Sequence, residues 1–470
     1  MVSYGNFPPT NSPNLTLQID MIEISALAFR NRGFACLILL LAPTFLLADE
    51  PIWKPVIQGN ANDWPAWRGP EGTGVALAKT APTKWSEQEN IAWETSLEGW
   101  GDSTPAIVGE HVFVTLQNES NELRVIRLNA ETGKIDRNIL VDQAETPRTA
   151  PKRKTQKFHN LHNLASPSPV VSGNYVVAHF GNGTLATYTL DGEKVWQHNL
   201  QQEFGEYSIW WGHANSPVVY DGLVISVCMQ DSLSDLQDEP AKSYLVAHDL
   251  KTGKQRWMTM RMTGAPAEEA DAYTTPLLLE KDGKTQLVVM GGNTLDAYDP
   301  ATGKQLWFLP GLVGGRTVTG PVVADGKVFT TRGMRKPLLS VKLDGNQGEL
   351  TEDAIEWEVD KSTPDTPSPV YANGMLFTVT DDGIAHCYRA EDGELLWRER
   401  LGGNFKASPI VAAGNVYYLN IDGNCTVVAA KDSLELIAEN ELKDTTIASP
   451  AVAGGKLFLR GKAKLYCIGK

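Results

Sequence analysis

A short signature recurs eight times along this 470-residue chain: a small residue, a proline, then an apolar run. The copies are "STPAIVGEHVFVT", "PSPVVSGNYVVAH", "NSPVVYDGLVISV", "TTPLLLEKDGKTQLVVM", "TGPVVADGKVFTT", "PSPVYANGMLFTV", "ASPIVAAGNVYYL" and "ASPAVAGGKLFLR". Their prolines, Pro105, Pro169, Pro217, Pro276, Pro321, Pro369, Pro409 and Pro450, stand mostly 40 to 60 residues apart. Units of that period cannot bury their apolar faces alone and must stack on one another.

Each unit reads as four strands. A short apolar strand follows the proline, and a Gly-containing turn leads to an alternating β-branched and aromatic strand. A third strand such as "SYLVAHDL" follows, then a "TGK" or "DGE" turn whose residues tolerate positive φ, then a last strand ending in tryptophan. The closing tryptophans are Trp196, Trp257, Trp307, Trp357 and Trp397. Gly 42 and Pro 27 agree with a turn-rich, all-β chain.

The eighth unit stops at "LYCIGK", one strand short. The missing strand is found before the first proline, in "ENIAWETSL" with Trp93. Pairing the two closes a ring and removes both exposed sheet edges. The expectation is therefore an eight-bladed β-propeller of four-stranded blades over residues 85–470, its last blade completed by an N-terminal strand.

Residues 1–48 read as a signal peptide, with Arg30 and Arg32 before "GFACLILLLAPTFLLA" and Met21 the better start. Residues 49–84 form an N-terminal arm. The expected product is exported, periplasmic or at the cell surface, soluble after cleavage and monomeric. Its net charge of −14 disfavours nucleic acid as a partner. Cys228, Cys387, Cys425 and Cys467 match no zinc or disulfide spacing and read as buried small residues, Cys387 and Cys467 in the slot that Ala247 and Ala297 fill elsewhere.

The stretches "AHDLKTGKQRW" and "AYDPATGKQLW" resemble the tryptophan-docking motif of the quinoprotein-type, PQQ-like β-propeller repeat family. That resemblance covers about residues 85–470 and implies that each closing Trp, Trp93 included, lies against the next blade. The arm segment "DWPAWRGPEGTGVA", residues 63–76, resembles the pre-propeller segment of exported PQQ-like proteins. The family includes PQQ-dependent dehydrogenases and a non-catalytic scaffold lipoprotein of outer-membrane β-barrel assembly, and fold alone does not choose between them.

In such a blade, the loop before each proline and the loop between the second and third strands share one rim. Trp100, Tyr207, Trp210, Trp211 and Tyr273 make that rim aromatic, and "EYSIWWGHAN" is its densest stretch. Arg316, Arg332 and Arg335 make it locally basic, which invites an anionic group or neutralises nearby acids. With His162 and His213, the expected ligand-binding set is Trp100, His162, Trp210, Trp211, His213, Tyr273, Arg316, Arg332 and Arg335. The pair His159 and His162 would bind metal only with a third ligand such as His213, and no metal site is expected. The acidic segment 229–240 reads as a solvated loop.

Asp102, Asn163, Asn215, Asp271 and Asp365 also fall in rim loops, none in a recognisable catalytic setting. Adjacent cysteines, which cap the quinone in many family enzymes, do not occur in the sequence. The expected function is a non-catalytic binding or scaffold module that offers its rim to a protein segment or polysaccharide, with peripheral association with a membrane complex left open. A PQQ-dependent dehydrogenase using PQQ with calcium, and a polysaccharide-binding accessory protein, are the alternatives.

Overall fold

The computed structural model describes residues 51–145, 153–154, 159–360 and 363–469. The chain divides into Met1–Glu50 and Pro51–Lys470, and the second unit holds everything below. The expected signal peptide lies outside the described residues.

The chain is an eight-bladed β-propeller of antiparallel blades. Blade one, from the channel outward, is Ala106–Val108, His111–Gln117, Glu122–Asn129 and Ile135–Gln143. Six further sheets repeat that four-strand order. Blade four is wider: Lys54–Pro55 of the arm pairs with its inner strand, and Gly348–Glu349 pairs parallel with Trp307 and Phe308 on its outer one. Ile91–Ser96 is the outer strand of blade eight, antiparallel to Lys464–Ile468 with Trp93 opposite Cys467 and Thr95 opposite Leu465.

The closing tryptophans cement neighbouring blades. The Trp93 indole N–H donates to Ala130 O in blade one at 2.9 Å, and Trp196 donates to Leu250 O at 2.8 Å. Trp257 donates to Pro300 O, Trp357 to Ala390 O and Trp397 to Lys431 O, each at 3.1 Å. The turn glycines make room for this. A Cβ at Gly253 would lie 2.7 Å from the Trp196 ring, and one at Gly303 2.4 Å from that of Trp257, both at positive φ. Opposite each indole across its own strand pair stands a small residue: Ala247 for Trp257, Ala297 for Trp307, Cys387 for Trp397.

Trp307 departs from the expected docking. Its indole N–H donates to Gln286 Oε1 within blade four at 3.0 Å. Blade five has no "TG" turn in register to receive it. The longer connection instead carries Gly348–Glu349 back along the outer strand of blade four.

The arm runs under the ring and closes one end of the channel. An inner strand has an unpaired edge, which must find partners when buried. The arm supplies them blade by blade. Trp64 exchanges two backbone hydrogen bonds with Ile107, Val171 N–H donates to Pro65 O, and Gln58 Nε2 donates to Val219 O. Val56 N–H donates to Leu278 O, Val411 N–H to Gly74 O, and Gly454 N–H to Ala61 O. Arg68 is the central pin. Fully buried, it donates to the carbonyls of Pro409 at 3.0 Å, Thr73 at 2.5 Å, and Pro369. Burial lowers its pKa to about 9, still protonated at neutral pH.

The motif "DWPAWRGPEGTGVA" thereby has a physical reading. A Cβ at Gly69 would meet the Trp64 ring at 2.8 Å, and one at Gly74 would meet the Arg68 guanidinium at 2.7 Å. Asp63 Oδ1 accepts from Gly109 N–H in the turn below blade one.

Candidate functional site

The residue before each signature proline is Ser or Thr in seven of the eight copies and Gly320 in the fifth. These residues form a belt around the channel. The N–H groups of Thr104 and Ser168 donate to the hydroxyls of Ser168 and Ser216, both at 2.9 Å, and Ser216 N–H donates to Thr275 Oγ1 at 3.2 Å. Gly320, Ser368 and Ser408 continue it to Ser368, Ser408 and Ser449 at 2.8, 2.9 and 3.0 Å. Between Ser449 and Thr104 the link is instead the Thr104 hydroxyl donating to Ser449 O at 3.3 Å. Glycine at 320 offers no hydroxyl, and there Trp67 approaches: a Cβ would lie 3.1 Å from its ring.

Above the belt lies a cavity of ≈ 260 Å³. Trp67 of the arm is its floor, Leu161, Val318, Ile447 and Ala448 give it apolar walls, and rim loops surround its mouth. Four members of the expected ligand set line it: His162, Trp211, Tyr273 and Arg316. Gly212 must be glycine beside His162, because a Cβ there would sit 2.2 Å from Nε2. His159 meets the Trp211 ring edge-on at 6.1 Å.

The charges at the mouth are mutually engaged. Arg316 donates to Asp365 Oδ2 at 2.9 Å, lies 3.4 Å from Glu268, and stacks its guanidinium 5.5 Å from the Trp211 centroid. Lys406 donates to Asp381 Oδ1 at 2.7 Å. Burial raises the Asp365 carboxyl, with Arg316 pulling the other way; Lys406 helps hold Asp381 below the usual range despite its burial. Asp271 accepts from the N–H groups of Trp210 at 2.7 Å and Asp231 at 2.8 Å, and burial pushes it well above the carboxylate range. It is a staple between the loops of blades three and four.

The other expected site residues stand elsewhere. His213 is buried and stacked on Tyr207 at 4.8 Å, with Nε2 3.4 Å from His179 Nδ1. It faces the seam between blades two and three, against His179 of blade two, and not the mouth, and burial holds it well below the usual imidazole pKa. Trp100 lies outside the cavity lining with Lys462 5.0 Å over its ring. Trp210 donates to Asp231 at 3.3 Å and has Arg153 5.5 Å over its ring. Arg332 is spent on Glu358 and on Gly311 O, and Arg335 is exposed at a positive φ. The front of the acidic segment 229–240 is packed: Asp231 and Leu233 are buried, and Arg153 binds Asp231 and Asp235.

Sequence reasoning missed the floor and the belt. Trp67 gave no periodic signal, and the Ser/Thr before each proline was read only as a small residue.

Channel, belt and docked tryptophans define a PQQ-like repeat propeller with one end of its channel plugged. The family model described as outer membrane protein assembly factor BamB matches residues 75–259, 241–368 and 343–468, and the chain belongs to that family. The Yersinia pestis outer membrane protein assembly factor BamB is 27% identical over 220 residues, covering 40% of this chain and 49% of that protein. The Moranella endobia (strain PCIT) protein of the same name is 27% identical over 146 residues, 27% of this chain and 34% of its own. The chain thus spans about half the length, or less, of the curated relatives it matches.

Among solved structures, BamB from Moraxella catarrhalis aligns with a TM-score of 0.55 at 12% identity, over 81% of this chain and 97% of that one. A europium-containing methanol dehydrogenase aligns at 0.61 and 11% identity, over 87% and 98%. The quinohemoprotein alcohol dehydrogenase from Comamonas testosteroni does so at 0.61 and 11%, over 87% and 81%. At these identities the likeness concerns the fold.

Proposed function

We propose that the protein is an exported, non-catalytic binding module whose cavity mouth takes an apolar side chain from a partner polypeptide. The observation that carries this is the shape and polarity of the site. An apolar pit floored by Trp67 is ringed by ion pairs, the arrangement in which an interface anchor residue is desolvated while its backbone meets a polar rim. Membership in the assembly-factor family supports a protein partner in a membrane-associated complex. Among the described residues no helix is long and apolar enough to cross a membrane.

One magnitude and one set of ion pairs weigh against a quinone cofactor. The ≈ 260 Å³ cavity falls below the roughly 300–1,000 Å³ of small-molecule and cofactor sites. PQQ is a polyanion, and the cations at the mouth, Arg316 and Lys406, are already held by Asp365, Glu268 and Asp381. The residues present therefore do not fit that group. A sugar platform is also less favoured, since Trp100, Trp210 and Trp211 each carry a cation over the ring.

The test is capture of partners by the purified full chain, beside titration with PQQ plus calcium followed by tryptophan fluorescence. The proposal expects a protein partner retained by the wild type and lost with Trp211→Ala, and no saturable response to PQQ. Tight PQQ binding with turnover of alcohols would overturn it.

A further inference from the structure

Away from the channel, the seam between blades two and three holds a cluster that the packing of the other blades does not need. His198 is the next-to-last residue of the outer strand Lys194–Asn199, Glu203 lies on the short helix Leu200–Phe204, and His248 is on Tyr244–Asp249 of blade three. One potential ligand atom from each residue lies within 4.8 Å of the others, and the two imidazole centroids are 4.6 Å apart.

The hydrogen bonds decide which nitrogen is available. His198 stands two residues after the docking tryptophan. In sister blades that position is Thr95 or Thr259, whose hydroxyl donates to the carbonyl of the next blade's turn glycine at 2.7 or 2.6 Å. His198 Nε2 lies 2.8 Å from the equivalent carbonyl, Gly253 O. A carbonyl only accepts, so Nε2 carries a proton, and Nδ1, 2.6 Å from Glu203 Oε1, shares a second proton with that carboxylate, which a bound cation would displace. A backbone carbonyl that fixes the distal N–H is the usual support behind a metal-bound histidine.

His248 supplies the second observation. It is fully buried, and neither ring nitrogen has a hydrogen-bond partner among the described residues. The corresponding positions next to the small slot in blades four and six are Tyr298 and Tyr388, and the seam does not require imidazole there. An unsatisfied buried polar group is destabilising, and a ligand on its lone pair would offset that cost.

We propose that His198 Nδ1, Glu203 and one ring nitrogen of His248 form a binding site for a zinc-type divalent transition ion that clamps blade two to blade three. Two imidazoles and a carboxylate suit Zn²⁺, with water completing four-coordination. Glu203 is exposed, which gives the ion a way in.

The test uses the full chain, stripped with chelator and titrated with Zn²⁺ alone by calorimetry and with Co²⁺ by visible absorption. The wild type should take up one equivalent at this site and gain thermal stability, and His159→Ala/His162→Ala should keep that equivalent. Glu203→Gln, at an exposed position that leaves the fold intact, should weaken uptake by at least about tenfold, and His248→Phe should abolish it. No stoichiometric uptake by the wild type would identify His198 and Glu203 as a plain ion pair and overturn the proposal. So would unchanged affinity in Glu203→Gln, which decides the matter even where His248→Phe fails to fold.

Discussion

Single hydroxyls hold the channel wall. Ser408 Oγ is the acceptor for the buried Ser368 N–H, so Ser408→Ala leaves that donor unsatisfied at a cost of about 1–3 kcal/mol. Urea unfolding should read that loss, and Ser408→Thr should recover most of it. Buried histidines set the response to acid. Burial lowers His179 to about 3, and burial with Arg398 nearby lowers His386 to about 4. Between the unfolded value of about 6.5 and those values, the unfolded chain binds protons that the folded one refuses. Their contribution is therefore complete above that unfolded value and is lost as pH falls through the window. Asp365, raised by burial, acts with the opposite sign. The slope of Tm against pH should become shallower over this window in His386→Gln, and an unchanged slope would contradict the assignment. At this scale the sequence was partly legible: Trp211, Tyr273, Arg316 and His162 do line the cavity, whereas His213 turns inward because Tyr207 and His179 offer it a stacked, buried seat.

The blade seams explain which elements could be read in advance. Four of the six closing tryptophans, Trp196, Trp257, Trp307 and Trp397, announce themselves by their place after a glycine turn, and five of the six reach a carbonyl of the next blade. Trp307 is the exception because its turn partner in blade five is replaced by a longer connection, a change invisible from Trp307 itself. Trp257→Ala should destabilise by about 3–5 kcal/mol, since it removes a buried ring and the bond to Pro300 O. Calorimetry would check this, and a shift of less than about 1 kcal/mol would mean that the indole does not cement the seam.

Across the whole molecule, ring closure was legible because the eighth unit lacked a strand and the first was preceded by a spare one. The plug was not. The arm has little regular structure, and its hydrogen-bond partners are scattered over seven blades, so no periodicity marks it. Arg68→Gln should cost roughly 3 kcal/mol or more, because hydrogen bonds to a charged donor are worth about 1.5–3 kcal/mol each and several carbonyls lose theirs together. Hydrogen exchange should then accelerate at Trp64 and Val411 before it does in the outer strands.

The plug closes one end of the channel, and the proposed use of the other end by a partner can be measured directly. A photoreactive amino acid placed at Trp211, beside the mouth, or at Gly109, in a turn beneath blade one, would be activated in the cells that make the protein. Specific cross-links to a polypeptide from position 211 and none from position 109 are the predicted result. Equal labelling from both ends, or a partner captured only from beneath, would contradict the assignment of the binding face.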